Sequence, residues 1–227
     1  MNGMDSLSVK EIINGERVFE YKGKDYLVPT NWSDTAVRIL IDKYMGINET
    51  SAAEVFERIA TEILNGGINL GYFNDQNGNL DNEKARIFYE ELIYILAHQL
   101  ASFNSPVWFN CGLKHPPQVS ACFILDIDDN MESILDYAKT EAKVFTGGSG
   151  AGANFSKLRG EGEPLSGGGT SSGPLPFLAG FDKISAAIKS GGRTRRAAKI
   201  AILDVDHPDI EKFINCKVNE EEKAKIL

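Results

Sequence analysis

Apolar residues recur at helical spacing through most of the first hundred positions. In "SDTAVRILIDKYMG", Val37, Leu40, Ile41 and Tyr44 share a stripe behind a cap at Ser33. "SAAEVFERIATEILNGG" opens with the capping box Ser51-x-x-Glu54, and the pair Gly66-Gly67 predicts its end. "LDNEKARIFYEELIYILAHQLASF" follows a cap at Asp81, and Leu92, Ile95, Leu96 and Leu100 continue its apolar face. Ahead of these helices, "RVFEYKGKDYLVP" alternates enough to predict a short hairpin turning near Lys22-Gly23-Lys24. Residues 1–103 thus read as a mainly helical domain, with a helical layer over 31–103.

The pattern changes at "FNSPVWFNCGLKHPPQ", where Pro106, Pro116 and Pro117 argue against regular helix. From Val119 onward the order becomes strand, helix, glycine loop, helix, strand. Val119, Ala121, Phe123, Leu125 and Ile127 alternate with Ser120, Cys122, Ile124 and Asp126. Apolar residues on both faces predict an interior strand of a covered sheet. Asp129-x-x-Glu132 reads as another capping box, opening a helix that ends near Gly147-Gly148. Pro174 to Gly191 predicts a further helix, "AAKIAILDV" a second buried strand, and "HPDIEKFINCKV" a helix starting near Pro208. Strand–helix–strand order of this kind predicts a parallel sheet with crossover helices.

Composition narrows the function. The chain has 227 residues, a net charge of −8, and 42% hydrophobic and 25% charged residues, as in an ordinary globular protein. That acidity speaks against nucleic acid or a membrane as the main partner. "MNGMDSLSVK" lacks the apolar segment of a signal peptide, which predicts a cytoplasmic location. Cys111, Cys122 and Cys216, an odd and sparse set without a CxxC, do not form a disulfide framework. The histidines His98, His115 and His207 are scattered, which argues against structural zinc.

Chemistry concentrates in two places. "TGGSGAGANFSKLRGEGEPLSGGGTSSGP", Thr146 to Pro174, is glycine-rich and carries Lys157 and Arg159. Free backbone N–H groups in such a stretch can cradle an anion, or the stretch can be a plain surface linker. It fits neither common phosphate motif. "GSGAGA" has Ala153 where a dinucleotide fingerprint needs its last glycine, it follows a helix, and no Gly-Lys-Ser/Thr occurs. The second place is "KSGGRTRRAAK", with Lys189, Arg193, Arg195, Arg196 and Lys199, either a solvated loop or a mobile loop closing on a polyphosphate.

"FNSPVWFN", "SACFIL", "GGSGAGANFSKLR", "GGTSSGP" and "GGRTRRAAKIAILDVDHPDIEKFI" together resemble the large catalytic subunit of ribonucleotide reductases, in wording closest to the adenosylcobalamin-dependent class. The resemblance runs in order from about residue 30 to the end. It implies an α/β fold: the N-terminal helical domain, then, over residues 104–227, the first half of a ten-stranded α/β barrel. It makes Cys122 one of two redox thiols that deliver electrons as the ribose 2′-hydroxyl leaves. It maps substrate contacts onto Ser105, Ala121, Cys122 and Gly150. A deoxynucleoside triphosphate effector is mapped onto Asp129, Asn130, Met131, Lys157 and Arg159, and onto the loop of Arg193, Arg195 and Arg196. At Ser166, where some relatives carry a second arginine, this sequence departs. Read from the residues alone, Asp129 is a helix cap, Ser105 a Ser-Pro turn and Cys122 a small core residue.

The resemblance further implies adenosylcobalamin, a ribonucleotide substrate, a thioredoxin-type reductant and a homodimer. The family's radical cysteine lies in an Asn-Pro-Cys-Gly-Glu-like stretch, which this sequence lacks, as it lacks the second redox cysteine and a C-terminal cysteine pair. The expectation is an N-terminal part of a reductase, inactive without its C-terminal half. The alternative is a nucleotide-binding regulatory module or a non-catalytic remnant.

Overall fold

The computed structural model describes residues 7–113, 116–188 and 198–226. The chain divides into two compact units between Ser120 and Ala121.

In the first unit, α1 (Val9–Ile13) leads into a hairpin of β1 (Glu16–Tyr21) and β2 (Lys24–Pro29), paired from Glu16↔Pro29 to Tyr21↔Lys24. The two-residue turn Lys22-Gly23 suits the twist of the strands, as the sequence predicts. Next come α2 (Asp34–Ile39), a π turn (Leu40–Tyr44), α3 (Ala52–Asn69), α4 (Asn82–Ala97) and α5 (Ser105–Asn110). The capping box forms as expected: Glu54 N–H donates to Ser51 Oγ at 3.2 Å, and Ser51 N–H donates to Glu54 Oε2 at 3.0 Å. Ala52, Val55, Phe56, Ile59 and Ala60 of α3 then turn one face onto Ile93, Leu96 and Ala97 of α4, with Val28, Val37 and Leu40 in the same core. Burying each large aliphatic or aromatic side chain here contributes about 1.5–3 kcal/mol.

Four expectations for this unit change. Helix α3 runs through Gly66-Gly67 to Asn69, because the bare Gly67 leaves room for the Phe73 ring; a Cβ there would lie 2.5 Å from it. Helix α4 stops at Ala97, before the predicted end. Pro106 sits in the first turn of α5 instead of preventing it, since its missing N–H falls where a helix has no internal partner. Val107, Trp108 and Cys111 pack into the first core, so the break between units lies at 120/121 and not at 103/104.

In the second unit, β3 (Cys122–Leu125), β4 (Gly150–Asn154) and β7 (Lys199–Ile202) form a parallel sheet in the order β3-β4-β7. Helix α6 (Met131–Thr146) crosses over from β3 to β4. A hairpin of β5 (Glu161–Pro164) and β6 (Thr170–Ser172) and helix α7 (Pro174–Ala187) separate β4 from β7, and α8 (Ile210–Ile226) closes the unit. Leu125, Ala153 and Ala201 pack with Ile134 and Tyr137 of α6 and Phe181 of α7, while Phe123 and Ala151 meet Val144 and Phe145.

The expected covered sheet is therefore covered on one face only. Ile124 is 94% exposed and Ile200 66% exposed on the other. A parallel α/β arrangement is present, but the described residues form three strands and no closed barrel. The first glycine cluster is not a loop: Gly150–Asn154 is the central strand, and its N–H groups are committed to the ladder, with Gly150 N–H on Ala121 O at 2.8 Å and Ala151 N–H on Ala198 O at 3.0 Å. The second cluster, Gly167 to Gly169, turns the β5–β6 hairpin and does not sit at the start of α7. No helix of the described residues is long and apolar enough to cross a membrane.

Candidate functional site

Cys122 opens β3 and stands in register with Gly150 of β4. Its thiol is exposed on the uncovered face of the sheet, not sealed under side chains. Gly150 is bare for a reason: a Cβ would lie 3.1 Å from the Ala198 carbonyl oxygen and 3.8 Å from that of Ala121. Ala121, Cys122 and Gly150 are thus together at one end of the sheet, where Cys122 is exposed and Gly150 is buried with its N–H on Ala121 O. Cys111, in contrast, is buried in the first core, and burial, with the Glu62 charge, pushes its thiol pKa up. Cys216 on α8 is partly buried.

Ser105 belongs to the first unit. It is the first residue of α5, whose cap is Asn104, and its Oγ lies 3.1 Å from the Tyr44 hydroxyl. No sequence signal links these two residues, which are 61 positions apart.

The start of α6 gathers the expected effector residues. Here the cap is Asn130, not Asp129: Asn130 Oδ1 accepts from Ser133 N–H at 2.9 Å. Asp129 is therefore not needed by the helix. Its Oδ2 accepts from Arg159 Nε at 2.6 Å, and Arg159 Nη1 donates to Pro164 O at 3.1 Å. Met131 is exposed on the first turn of α6. Lys157 is bound to two carboxylates, Asp126 at 2.7 Å and Asp128 at 3.0 Å, which hold its pKa up and together outweigh its charge. Ser166 is exposed in the hairpin turn. Arg193, Arg195 and Arg196 lie outside the described residues, as does Lys189.

Lys199 is a correction. It is not a loop cation: it begins β7 and points into the helix-covered side, 3.0 Å from Glu141 Oε2 and 3.4 Å from Asp182 Oδ1. Glu141 is buried, also accepts from the Tyr137 hydroxyl at 2.7 Å and lies 3.3 Å from the Ser185 hydroxyl. Burial first, then the Glu141 carboxylate, holds the Tyr137 phenol far above its ordinary pKa. Sequence reading missed this cluster because Glu141 looks like any helix-surface acid until α7 and β7 close over it. Among the described residues no group of three or more His, Cys, Asp and Glu side chains is arranged to hold a metal ion.

The two halves of the chain match separate parts of one enzyme family. Residues 120–227 match the family model "Ribonucleotide reductase, barrel domain", and residues 45–99 match "Class II vitamin B12-dependent ribonucleotide reductase". A vitamin B12-dependent ribonucleotide reductase of Streptomyces clavuligerus is 50% identical over 220 residues, covering 94% of this chain and 22% of that protein. One from Rhodopirellula baltica is 40% identical over 94% of the chain, and a vitamin B12-dependent ribonucleoside-diphosphate reductase from Thermoplasma acidophilum is 42% identical over 52% of it. The chain belongs to the class II, vitamin B12-dependent ribonucleotide reductase family. It matches the N-terminal fifth of those relatives.

Proposed function

We propose that the chain supplies one redox thiol and the effector site of a ribonucleotide reductase that makes deoxyribonucleotides. The observation that carries this reading is the exposed Cys122 thiol, in register with Gly150 on a bare sheet face in a chain of this family. Cys122 and a second cysteine outside this chain each give up a proton and an electron. The ribose 2′-hydroxyl leaves as water, the carbon is reduced, and the two sulfurs join as a disulfide, which a thioredoxin-type dithiol then reduces. Ser105, Ala121 and Gly150 hold the ribonucleotide through hydroxyl and backbone groups. Beyond the three strands described, the sheet continues into the ten-stranded barrel of the complete enzyme, and the complete enzyme acts as a homodimer.

Asp129, Asn130, Met131, Lys157 and Arg159, with Arg193, Arg195 and Arg196, bind the deoxynucleoside triphosphate. The positive end of α6 and the Arg159 guanidinium suit its phosphates. Adenosylcobalamin is the cofactor of the complete enzyme. One cavity of the first unit, about 420 Å³ beside Glu11, Glu90, Glu91, Tyr94 and His98, does not fit its corrin: it is too small and ringed by carboxylates, and His98 Nε2 is engaged with Ile12 O at 3.1 Å.

The test combines this chain with the remainder of the reductase, joined or as a separate polypeptide, and measures deoxyribonucleotide formation and effector binding. Cys122→Ser is expected to abolish turnover with a physiological dithiol while deoxynucleoside triphosphate still binds. Full turnover by Cys122→Ser would overturn the redox assignment.

A further inference from the structure

We infer that Tyr44 is a positioning residue for the Ser105 hydroxyl, and that the π turn at Leu40–Tyr44 exists to place it. This rests on the reading of Ser105 as a substrate contact. Met45 N–H donates to Leu40 O at 2.9 Å, which closes the wider π turn; one residue more than an α-helical turn is accommodated, and side chains beyond it are re-aimed. The result sets the Tyr44 ring on the Trp108 ring, with centroids 5.8 Å apart and planes 29° apart, and its hydroxyl 3.1 Å from Ser105 Oγ.

Neither side of this contact is loose. Trp108 is fixed at its far end by its indole N–H, which donates to Phe103 O at 3.1 Å. Arg58 ties the two segments together: its guanidinium donates to Tyr44 O and to Trp108 O, each at 3.2 Å, and to Cys111 O. Glu49 holds that guanidinium at 2.6 Å, and the two charged side chains are only 10% and 13% exposed. One buried cation therefore spans the backbone that carries Tyr44 and the helix that carries Ser105.

Acidity favours one direction for the hydrogen bond. Either hydroxyl can donate across this contact; with the phenol, the stronger acid of the two, as donor, Ser105 Oγ accepts. The serine proton is left to be offered outward, and accepting one hydrogen bond makes the hydroxyl a better donor in the next. Such a preset donor fits a ribose or phosphate oxygen of a nucleotide.

The experiment uses the reductase assembled from this chain and its remainder. Ribonucleotide dissociation constants are measured by calorimetry without cobalamin, and KM and kcat with it, for Tyr44→Phe, Ser105→Ala and the double variant. Tyr44→Phe keeps the ring on Trp108 and removes only the hydroxyl. It is expected to weaken ribonucleotide binding roughly 2- to 10-fold, with the loss on KM rather than kcat, and the double variant to bind no worse than Ser105→Ala. Unchanged binding in Tyr44→Phe beside weakened binding in Ser105→Ala overturns the inference alone. Unchanged binding in both removes Ser105 from the substrate site and the inference with it. Equal weakening of ribonucleotide and effector, with a lowered melting temperature, assigns Tyr44 a purely structural part and also overturns it.

Discussion

Arg159 and Asp129 hold each other across 2.6 Å, and both are residues proposed to bind the effector. Each side chain is about a third exposed, so solvent screens the pair and it contributes at most about 1 kcal/mol to folding. Arg159→Ala is therefore expected to shift the folding free energy by less than about 1 kcal/mol while weakening deoxynucleoside triphosphate binding roughly tenfold or more, the loss of a charge-assisted phosphate contact. Calorimetric titration beside a denaturation curve separates the two effects. A large loss of stability with unchanged nucleotide affinity would contradict the assignment.

The three cysteines differ in access. Cys122 lies on the open face, while Cys111 is buried and its thiol pKa is raised. A maleimide is expected to label native Cys122 at least roughly tenfold faster than Cys111, with Cys111 reacting only once denaturant is added. Peptide mass spectrometry over a time course reads the order directly.

The buried Glu141–Lys199 pair predicts both a mutational and a pH effect. Glu141→Ala leaves the nearly buried Lys199 ammonium with only the half-exposed Asp182 carboxylate at 3.4 Å, and is expected to cost about 3 kcal/mol. Lys199→Met leaves the more buried Glu141 with the Tyr137 hydroxyl as its close donor, since Ser185 gives its one proton to Phe181 O at 2.7 Å, and is expected to cost a similar amount. Tyr137 has its folded pKa raised above the unfolded value, so its contribution to stability is complete below about pH 10 and is lost as pH rises above that. Tyr137→Phe should flatten the alkaline fall in stability by one proton's worth of slope. Chemical denaturation at a series of pH values from neutral to alkaline measures it.

The adjacent glycines of α3 should respond in opposite directions. Gly66 faces open space, so Gly66→Ala gains helix propensity and is expected to stabilise by roughly 0.5–1 kcal/mol. Gly67→Ala meets the Phe73 ring at 2.5 Å, and that ring is itself packed on Phe88 with centroids 5.1 Å apart. Overpacking of roughly 1–3 kcal/mol outweighs the propensity gain. Thermal melts of the two variants give the comparison.

What the sequence made legible was local. Ser33, Ser51 and Asp81 each cap a helix through a hydrogen bond two or three residues away, and such a bond needs no knowledge of the rest of the chain. Gly66-Gly67 misled because a distant ring, Phe73, overrides the usual role of glycine at a helix end. Gly150 to Asn154 passed for a loop by composition, although small residues are what the centre of this sheet accepts. At α6 two adjacent cap formers, Asp129 and Asn130, compete, and only coordinates show that Asn130 wins. Of the candidate site, the Cys122 strand and Arg159 were visible through the family motifs. Tyr44 was visible only as one apolar stripe position, because its contact with Ser105 arises from tertiary packing.

The sheet of the second unit carries its hydrocarbon contacts on one side, and Ile124 and Ile200 face water on the other. By thermodynamic linkage, any surface that covers those residues raises the unit's melting point in proportion to how tightly it binds. Closing the bare face and stabilising the strand that bears the thiol are then one equilibrium, so the strand of Cys122 is held most firmly when that face is covered.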